Sequence, residues 1–291
     1  MQDVVAPEDV RARIRDAKGR GLRVGFVPTM GALHEGHLSL VRAARARAGF
    51  VAMSIFVNPL QFGPAEDFAR YPRDLARDRA LAAGAGVDLL WAPEAAAMYP
   101  APPAVTVSPG SAGRRLEGAS RPGHFSGVLT VVLKLFALVE ADVAIFGRKD
   151  FQQAALIRAM VRDFNLPVEI VVAPTVRERD GLALSSRNAY LAPAQRGAAA
   201  ALYRALGRGV EAYRAGERRA AAITEAARGV LAAQAGVVPD YVACAAPDDL
   251  APVDAVDAAT ALAVAARVGE TRLIDNVVLG EGLEGDVHLS G

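Results

Sequence analysis

The chain has 291 residues, 33 basic and 32 acidic side chains, and a formal net charge of +1. That balance excludes a bulk electrostatic binder of nucleic acid or of an anionic membrane surface. The single cysteine, Cys244, excludes an internal disulfide and a Cys/His zinc framework and points to a reducing, cytoplasmic setting, while the length suggests two domains at about 100–200 residues each.

The opening MQDVVAPEDVRARIRDAKGR has acidic residues where a secretory signal needs a basic start and an apolar run, so no leader is expected. No apolar stretch reaches the roughly 18–20 residues that span a bilayer. RVGFVP (23–28) reads as a buried strand, and HLSLVRAARARAG (37–49) as a helix with a glycine stop. VAMSIFV (51–57) is a second strand, followed by the loop NPLQFGPAEDFARYPR. A helix is expected at about 73–84, a strand at 87–93, and an edge strand or hairpin arm in PPAVTVSP. GHFSGVLTVVLKLFALVEA (123–141) is apolar around most of its circumference and predicts a buried helix. DVAIFG (142–147), KDFQQAALIRAMVRDFN (149–165) and LPVEIVVAP (166–174) continue as strand, helix and strand.

Strands alternating with helices predict βαβ units and a mostly parallel sheet, so the fold class is α/β, with a Rossmann-like domain over 1–175. After Pro174 the texture changes. TVRERDGLALSSRNAYL reads as a loop with a short hairpin, followed by helices at roughly 193–215 and 217–235 and strands at 240–246, 260–268 and 272–280. This predicts a smaller α+β domain over 176–291.

Ligands of open parallel sheets bind beyond the carboxyl ends of the strands. Polar clusters stand at three such ends: PTMGALHEGH, NPLQF and GRKDFQQ. In the first, glycines 31 and 36 permit close backbone approach, and a helix beginning near Gly36 offers free N–H groups to an anion. His34 and His37, two of four histidines, share a face three residues apart and can donate to phosphate oxygens. They could instead cap or pack the corner, and a zinc site would need a further ligand such as Glu35 or His124. Among the basic residues only Lys18, Lys134 and Lys149 are lysine, so Lys149 beside Asp150 in a turn stands out as a phosphate and ribose pair; a plain helix cap is the alternative for Asp150. LSSRN adds two hydroxyls and a guanidinium. Neither a Walker A loop nor a G-x-G-x-x-G is present, so a nucleotide would need another cradle.

His34-Glu35-Gly36-His37 matches the H-x-G-H signature of a nucleotidyltransferase superfamily, and Leu184-Ser185-Ser186-Arg187 is similar to that group's second signature. With VPTMGALHEGHLSLV, SIFVNPLQFGPAEDFARYPR, RPGHFSGVLTVVLKLF, FGRKDFQQAALIRAMVRDFNLP and LALSSRNAYL, the chain closely resembles the pantothenate synthetase family from about residue 22 to 192. The resemblance implies an AMP-forming ligase that condenses pantoate with β-alanine through a pantoyl adenylate, using ATP and magnesium (Mg2+), in a homodimer. It implies that His34 and His37 contact the ATP phosphates, with Met30 and Gly36 along the same turn. Lys149 would bind phosphate, Asp150 and Gly147 the ribose, and Val176 would lie by the adenine. Ser185, Ser186 and Arg187 would close over the triphosphate. Gln61 and Gln153 would bond pantoate within an apolar wall of Pro28, Val131, Val132 and Phe146. Asn58 would face the amine, with Arg121 and His124 bordering the site. Leu184 replaces a common methionine of similar volume. Two other readings remain: a different H-x-G-H adenylyltransferase acting on a small acid or nucleotide cofactor, and an inert ATP-binding regulator.

Overall fold

The computed structural model describes residues 1–64 and 66–289. It contains two compact units. The first comprises Met1–Gly147 and Leu156–Ala173, the second Arg148–Ala155 and Pro174–Gly291. A single boundary at 175 assigns Arg148–Ala155 to the N-terminal side; its backbone is instead bonded from within the second unit, where Asn276 donates to the carbonyls of Arg148 and Lys149.

The first unit is built on six parallel strands: β1 (Gln2–Val4), β2 (Val24–Thr29), β3 (Phe50–Ile55), β4 (Leu89–Trp91), β5 (Val143–Gly147) and β6 (Glu169–Ala173). Their order in the sheet is β1-β4-β3-β2-β5-β6. The chain winds outward from β2 in one direction through β3 and β4, and in the other through β5 and β6. The gap beyond the carboxyl ends of β2 and β5 is therefore the topological switch point.

Between the strands run α1 (Pro7–Gly19), α2 (Glu35–Arg45), α3 (Leu75–Gly84), the short α4 (Ala95–Met98) and α5 (Glu117–Ser120), α6 (His124–Val139) and α7 (Phe151–Asp163). Side chains alternate across a strand, which splits the core in two. Val27, Met53, Leu90, Val143 and Ile145 pack with Leu40, Val41 and Ala44 of α2 and Ala82 of α3. Phe26, Ala52 and Ala144 point the other way; α1 and α6 touch each other and β2.

The N-terminal strand and helix go beyond the sequence expectation, and PPAVTVSP forms no strand. Its prolines cannot donate to a ladder. The segment is pinned to α6 by side chains instead: Thr130 Oγ1 accepts from Val107 N–H and Ser126 Oγ donates to Val107 O.

In the second unit β7 (Val176–Arg177) pairs in parallel with β11 (Val287–His288). The expected helix at 193–215 is two, α8 (Pro193–Ala199) and α9 (Ala201–Arg214), and α10 (Ala220–Ala233) follows. Strands β8 (Val237–Ala245), β9 (Ala261–Val268) and β10 (Thr271–Val278) form an antiparallel sheet with β9 central. Leu202, Leu206, Ile223 and Leu231 of the helices share a core with Leu262, Val264 and Leu273 of the sheet.

One ion pair network lies wholly inside this unit. Arg177 is fully buried and holds Asp275 through two bonds of 2.6 and 3.1 Å and Asp286 through one of 2.5 Å, while its Nη1 also donates to Gly181 O. Burial opposes the charge, but the two carboxylates outweigh it and hold the guanidinium pKa above its usual value. Removing the cation leaves two buried carboxylates uncompensated. Arg177→Met should lower the unfolding free energy by about 3–5 kcal/mol, measured by urea titration; a loss below about 1 kcal/mol would mean the network is dispensable.

Candidate functional site

The β2-to-α2 corner is an unusual piece of backbone. Gly31 has φ +82° and Ala32 φ +49°, two left-handed residues in succession. At Gly31 a Cβ would meet Asp78 Oδ2 at 2.9 Å and Ile55 at 3.0 Å, so glycine is required twice over. The non-glycine Ala32 persists there because Asp78, on α3 and 1% exposed, binds both consecutive amides: Oδ2 accepts from Ala32 N–H and Oδ1 from Leu33 N–H, each at 2.8 Å. Arg77 donates to Leu33 O, 3.1 Å away. Sequence reasoning missed Asp78; in ARDRAL it reads as an exposed helical charge.

His34 is the N-cap of α2. Its Nδ1 accepts from Gly36 N–H at 3.2 Å, and His37 Nδ1 accepts from His34 N–H at 3.3 Å. The rings lie 4.1 Å apart between centroids. An Nδ1 that accepts carries no proton, so each neutral imidazole has its N–H on Nε2. The corner thus places two imidazole N–H groups at the positive end of the α2 dipole, an arrangement suited to an anion.

A second group lies after β3. Asn58 is 1% exposed, and its amide is saturated. Its Oδ1 accepts from Leu60 N–H (3.3 Å) and the Tyr99 hydroxyl (3.0 Å); its Nδ2 donates to Gly127 O and Gln61 Oε1, both 3.1 Å. The backbone partners cannot be exchanged, so they fix which end of the Asn58 amide is which. That in turn obliges Gln61 to present oxygen to Asn58 and its Nε2 outward, where it meets Met30 Sδ at 3.1 Å, a weak acceptor. Burial pushes the Tyr99 phenol up to about 12, so it remains a donor. Asn58, expected to face an amine, here orients Gln61. Tyr99 is a further participant the sequence did not flag. Gly127 lets α6 approach: a Cβ there would sit 2.2 Å from Leu60 O.

Arg121 and His124 border Gln61. Arg121 grips Glu66 through Nε and Nη2 at 2.8 and 2.6 Å, and its Nη1 lies 3.0 Å from His124 Nε2. His124 Nδ1 donates to Gln61 O at 2.8 Å, leaving Nε2 to accept from Arg121. Burial first, then the Arg121 charge, lower the His124 pKa to about 4, so this ring is neutral near pH 7. Val131 and Val132 of α6 are 5% exposed and Phe146 of β5 4%, its ring edge-on to Phe136. Pro28 is the penultimate residue of β2 and Gly147 the last of β5.

The remaining expected residues belong to the second unit. Lys149 and Asp150 lie in a 3-10 turn, Nζ to Oδ1 3.4 Å, and Gln153 in the first turn of α7. Leu184 N–H donates to Val176 O at 2.9 Å, which brings these two together. Ser185 Oγ caps the turn Ser186–Tyr190 by accepting from Arg187 N–H. The loop is anchored behind: Asn188 Nδ2 donates to Glu178 and to Ala183 O, and Arg196 bridges Glu178 and Asp180.

Two outcomes follow from this geometry. Asp78→Asn replaces one acceptor with a donor facing an amide. It should weaken binding of a phosphate-bearing ligand at the corner about tenfold or more, with a stability loss of about 1–3 kcal/mol; unchanged binding would show that the corner holds its shape unaided. For His124 the folded pKa lies below the ordinary 6.5, so unfolded chains bind the extra proton. Its stabilisation is therefore present above about pH 6.5 and lost as pH falls toward 4, by at most about 1.4 kcal/mol per pH unit. His124→Asn, which keeps a donor but cannot titrate, should flatten the fall in thermal midpoint between pH 6.5 and 4.5.

The model of the Pantoate-beta-alanine ligase family matches residues 3–278. A pantothenate synthetase of Moorella thermoacetica is 57% identical over 270 residues, 93% of this chain and 95% of that one. One from Chloroflexus aurantiacus is 54% identical over 273 residues, 93% and 97% of the two chains. Among solved structures, the pantothenate synthetase of Thermus thermophilus superposes with a TM-score of 0.90 at 49% identity, covering 96% of this chain and 99% of that one. The pantoate-beta-alanine ligase of Francisella tularensis, in complex with beta-gamma ATP and β-alanine, superposes with a TM-score of 0.79 at 33% identity over 98% and 100% of the chains. By sequence along nearly its whole length and by fold, the chain belongs to the pantoate–β-alanine ligase family.

Proposed function

We propose that this chain condenses pantoate with β-alanine at the expense of ATP, forming pantothenate, AMP and pyrophosphate through a pantoyl adenylate. The observation that carries this beyond family membership is the donor character of the candidate residues. The imidazole N–H groups of the histidine corner, Lys149, and the Ser185, Ser186 and Arg187 segment are donors of the kind that suit oxyanions.

The first half-reaction requires that arrangement. A carboxylate is already ionised at neutral pH, so its oxygen attacks the α-phosphorus without a base. The bond from that phosphorus to the bridging oxygen breaks and pyrophosphate leaves. Alignment and charge stabilisation are what the protein must supply. His34 and His37 hold phosphate oxygens; Lys149 and the serines serve the same triphosphate, with Asp150 and Gly147 at the ribose and Val176 at the adenine. Gln61 donates through Nε2 to a pantoate oxygen, a better acceptor than Met30 Sδ, and Gln153 adds a second contact. Pro28, Val131, Val132 and Phe146 enclose the gem-dimethyl group.

In the second half-reaction the β-alanine nitrogen attacks the acyl carbon, the acyl carbon–oxygen bond to phosphate breaks, AMP departs, and the nitrogen loses a proton. His37 is the candidate acceptor by residue type, and it could take that proton at Nδ1 only after releasing the His34 N–H. Magnesium enters this reading as the counter-ion of the triphosphate, because among the described residues no three His, Cys, Asp or Glu side chains gather to hold a metal. The donor set fits phosphate and not a metal cage. A homodimer in the cytoplasm is part of the same reading; among the described residues no helix is long and apolar enough to cross a membrane.

A different H-x-G-H adenylyltransferase would not need a directed Gln61 amide or an apolar acid pocket. The separating experiment supplies ATP, magnesium and pantoate without β-alanine. Pyrophosphate should appear in a burst matching the enzyme concentration, with an acyl adenylate retained on the protein. No burst, or a burst without pantoate, would refute the two-step ligase.

A further inference from the structure

Asn276 lies on β10, in a part of the chain without recognisable motifs, and is 2% exposed. Its Nδ2 donates to Arg148 O at 3.0 Å and to Lys149 O at 2.9 Å. Those two carbonyls belong to the peptide groups on either side of the Lys149 Cα. One amide nitrogen therefore pins both peptide planes that set the backbone torsions of Lys149, and with them the direction in which its side chain leaves the turn. The turn Arg148–Asp150 is 3-10, between the end of β5 and the start of α7.

The strand that carries Asn276 is itself braced. Asn276 N–H donates to Asp275 Oδ1 at 2.8 Å, and Asp275 is the main partner of buried Arg177. Arg177 also binds the carbonyl of Gly181, a left-handed glycine (φ +89°) in the turn that leads to Leu184 and the serines. Arg148 is fixed separately by Glu281, 2.6 Å away. Adjacent residues of β10 thus secure the lysine turn and the root of the serine loop.

We infer that Asn276 is a positioning residue for Lys149 in the ATP-dependent half-reaction, acting through the two backbone carbonyls that flank the lysine. This rests on the reading of Lys149 as a phosphate contact. A fully buried side chain can also serve stability alone, so the decisive measurement is coupling to Lys149.

Asn276→Ala, Lys149→Ala and the double variant are compared by single-turnover pyrophosphate release with pantoate, alongside their thermal midpoints. Asn276→Ala should lower kcat/KM for ATP roughly 10- to 100-fold while leaving KM for pantoate within about twofold. In the Lys149→Ala background the same substitution should add less than about twofold, because there is no ammonium left to misdirect. Asn276→Asp, equal in shape but without an N–H to give, should fall with the alanine variant. Asn276→Ser, which can reach one carbonyl, should be intermediate and serves where the alanine variant does not fold. Multiplicative losses in both backgrounds, or an Asn276→Asp enzyme as active as the wild type, would overturn the inference. If Lys149→Ala itself turns over normally, the phosphate reading of Lys149 is what fails; if Lys149→Ala is crippled and Asn276→Ala is not, the positioning role alone fails.

Discussion

A parallel strand that ends in a helix must turn sharply while leaving its amides uncovered, and the first reactive corner depends on how that is resolved. Uncovered amides are what an anion needs, yet amides buried without partners are costly. At the end of β2 the two demands are divided. The amides of Ala32 and Leu33, which face inward, are given to the Asp78 carboxylate. Those of the following turn are given to imidazole nitrogens. The left-handed torsions at Gly31 and Ala32 are the geometric cost of making the turn this tight. Without the Asp78 carboxylate the strained turn would lose the acceptor shared by its two inward amides, and the histidines that follow would lose the footing that aims them.

The same division recurs wherever a candidate residue is placed. The side chain proposed to touch substrate is held by a neighbouring side chain. Gln61 is directed by Asn58, which is directed by Tyr99 and two backbone groups. Ser185 and its neighbours stand on Asn188 and the Arg196 bridges. Each supporting side chain is buried or paired, so its amide or carboxylate has one orientation available. For a reaction whose nucleophile arrives charged, such fixed donors are the main resource a protein can offer, since they need not reorganise as charge moves to the leaving group.

This division also decides what a sequence discloses. Residues proposed to meet ligands stand in polar clusters at or just past strand ends: PTMGALHEGH, NPLQF, GRKDFQQ and LSSRN are visible for that reason. Their supports lie in ordinary periodic segments. Asp78 is one of several charges in α3, Tyr99 follows a run of alanines, and Asn276 sits in a strand whose pattern suggests only alternation. Nothing local distinguishes a buried Asp from an exposed one; the distinction is made by a turn 45 residues away. Elements escape a sequence reading for a related reason. β1 is three largely exposed residues, legible only by its pairing with β4. α1 presents Val10, Ile14 and Ala17 among charges, a face too narrow to announce itself. The helix break at Ala200 falls in a run of alanines with no breaker residue. Arg148–Ala155 joins the second unit through bonds that only tertiary structure supplies.

The two histidines of the β2-to-α2 corner illustrate how a structural role and a chemical role can coincide. As caps they satisfy amides at the start of α2; as phosphate ligands they must present protons. These would conflict if one nitrogen had to do both. They do not, because the imidazole has two inequivalent nitrogens and capping consumes only Nδ1. Capping further selects the tautomer, since an accepting Nδ1 leaves the proton on Nε2. A Ser or Asp in the N-cap position would serve the helix equally well, and would present no second donor beyond it. The spacing of three follows from the same geometry. It is the interval at which a second ring can reach back to the first residue's own N–H, so that each imidazole caps the turn and each is aimed by doing so.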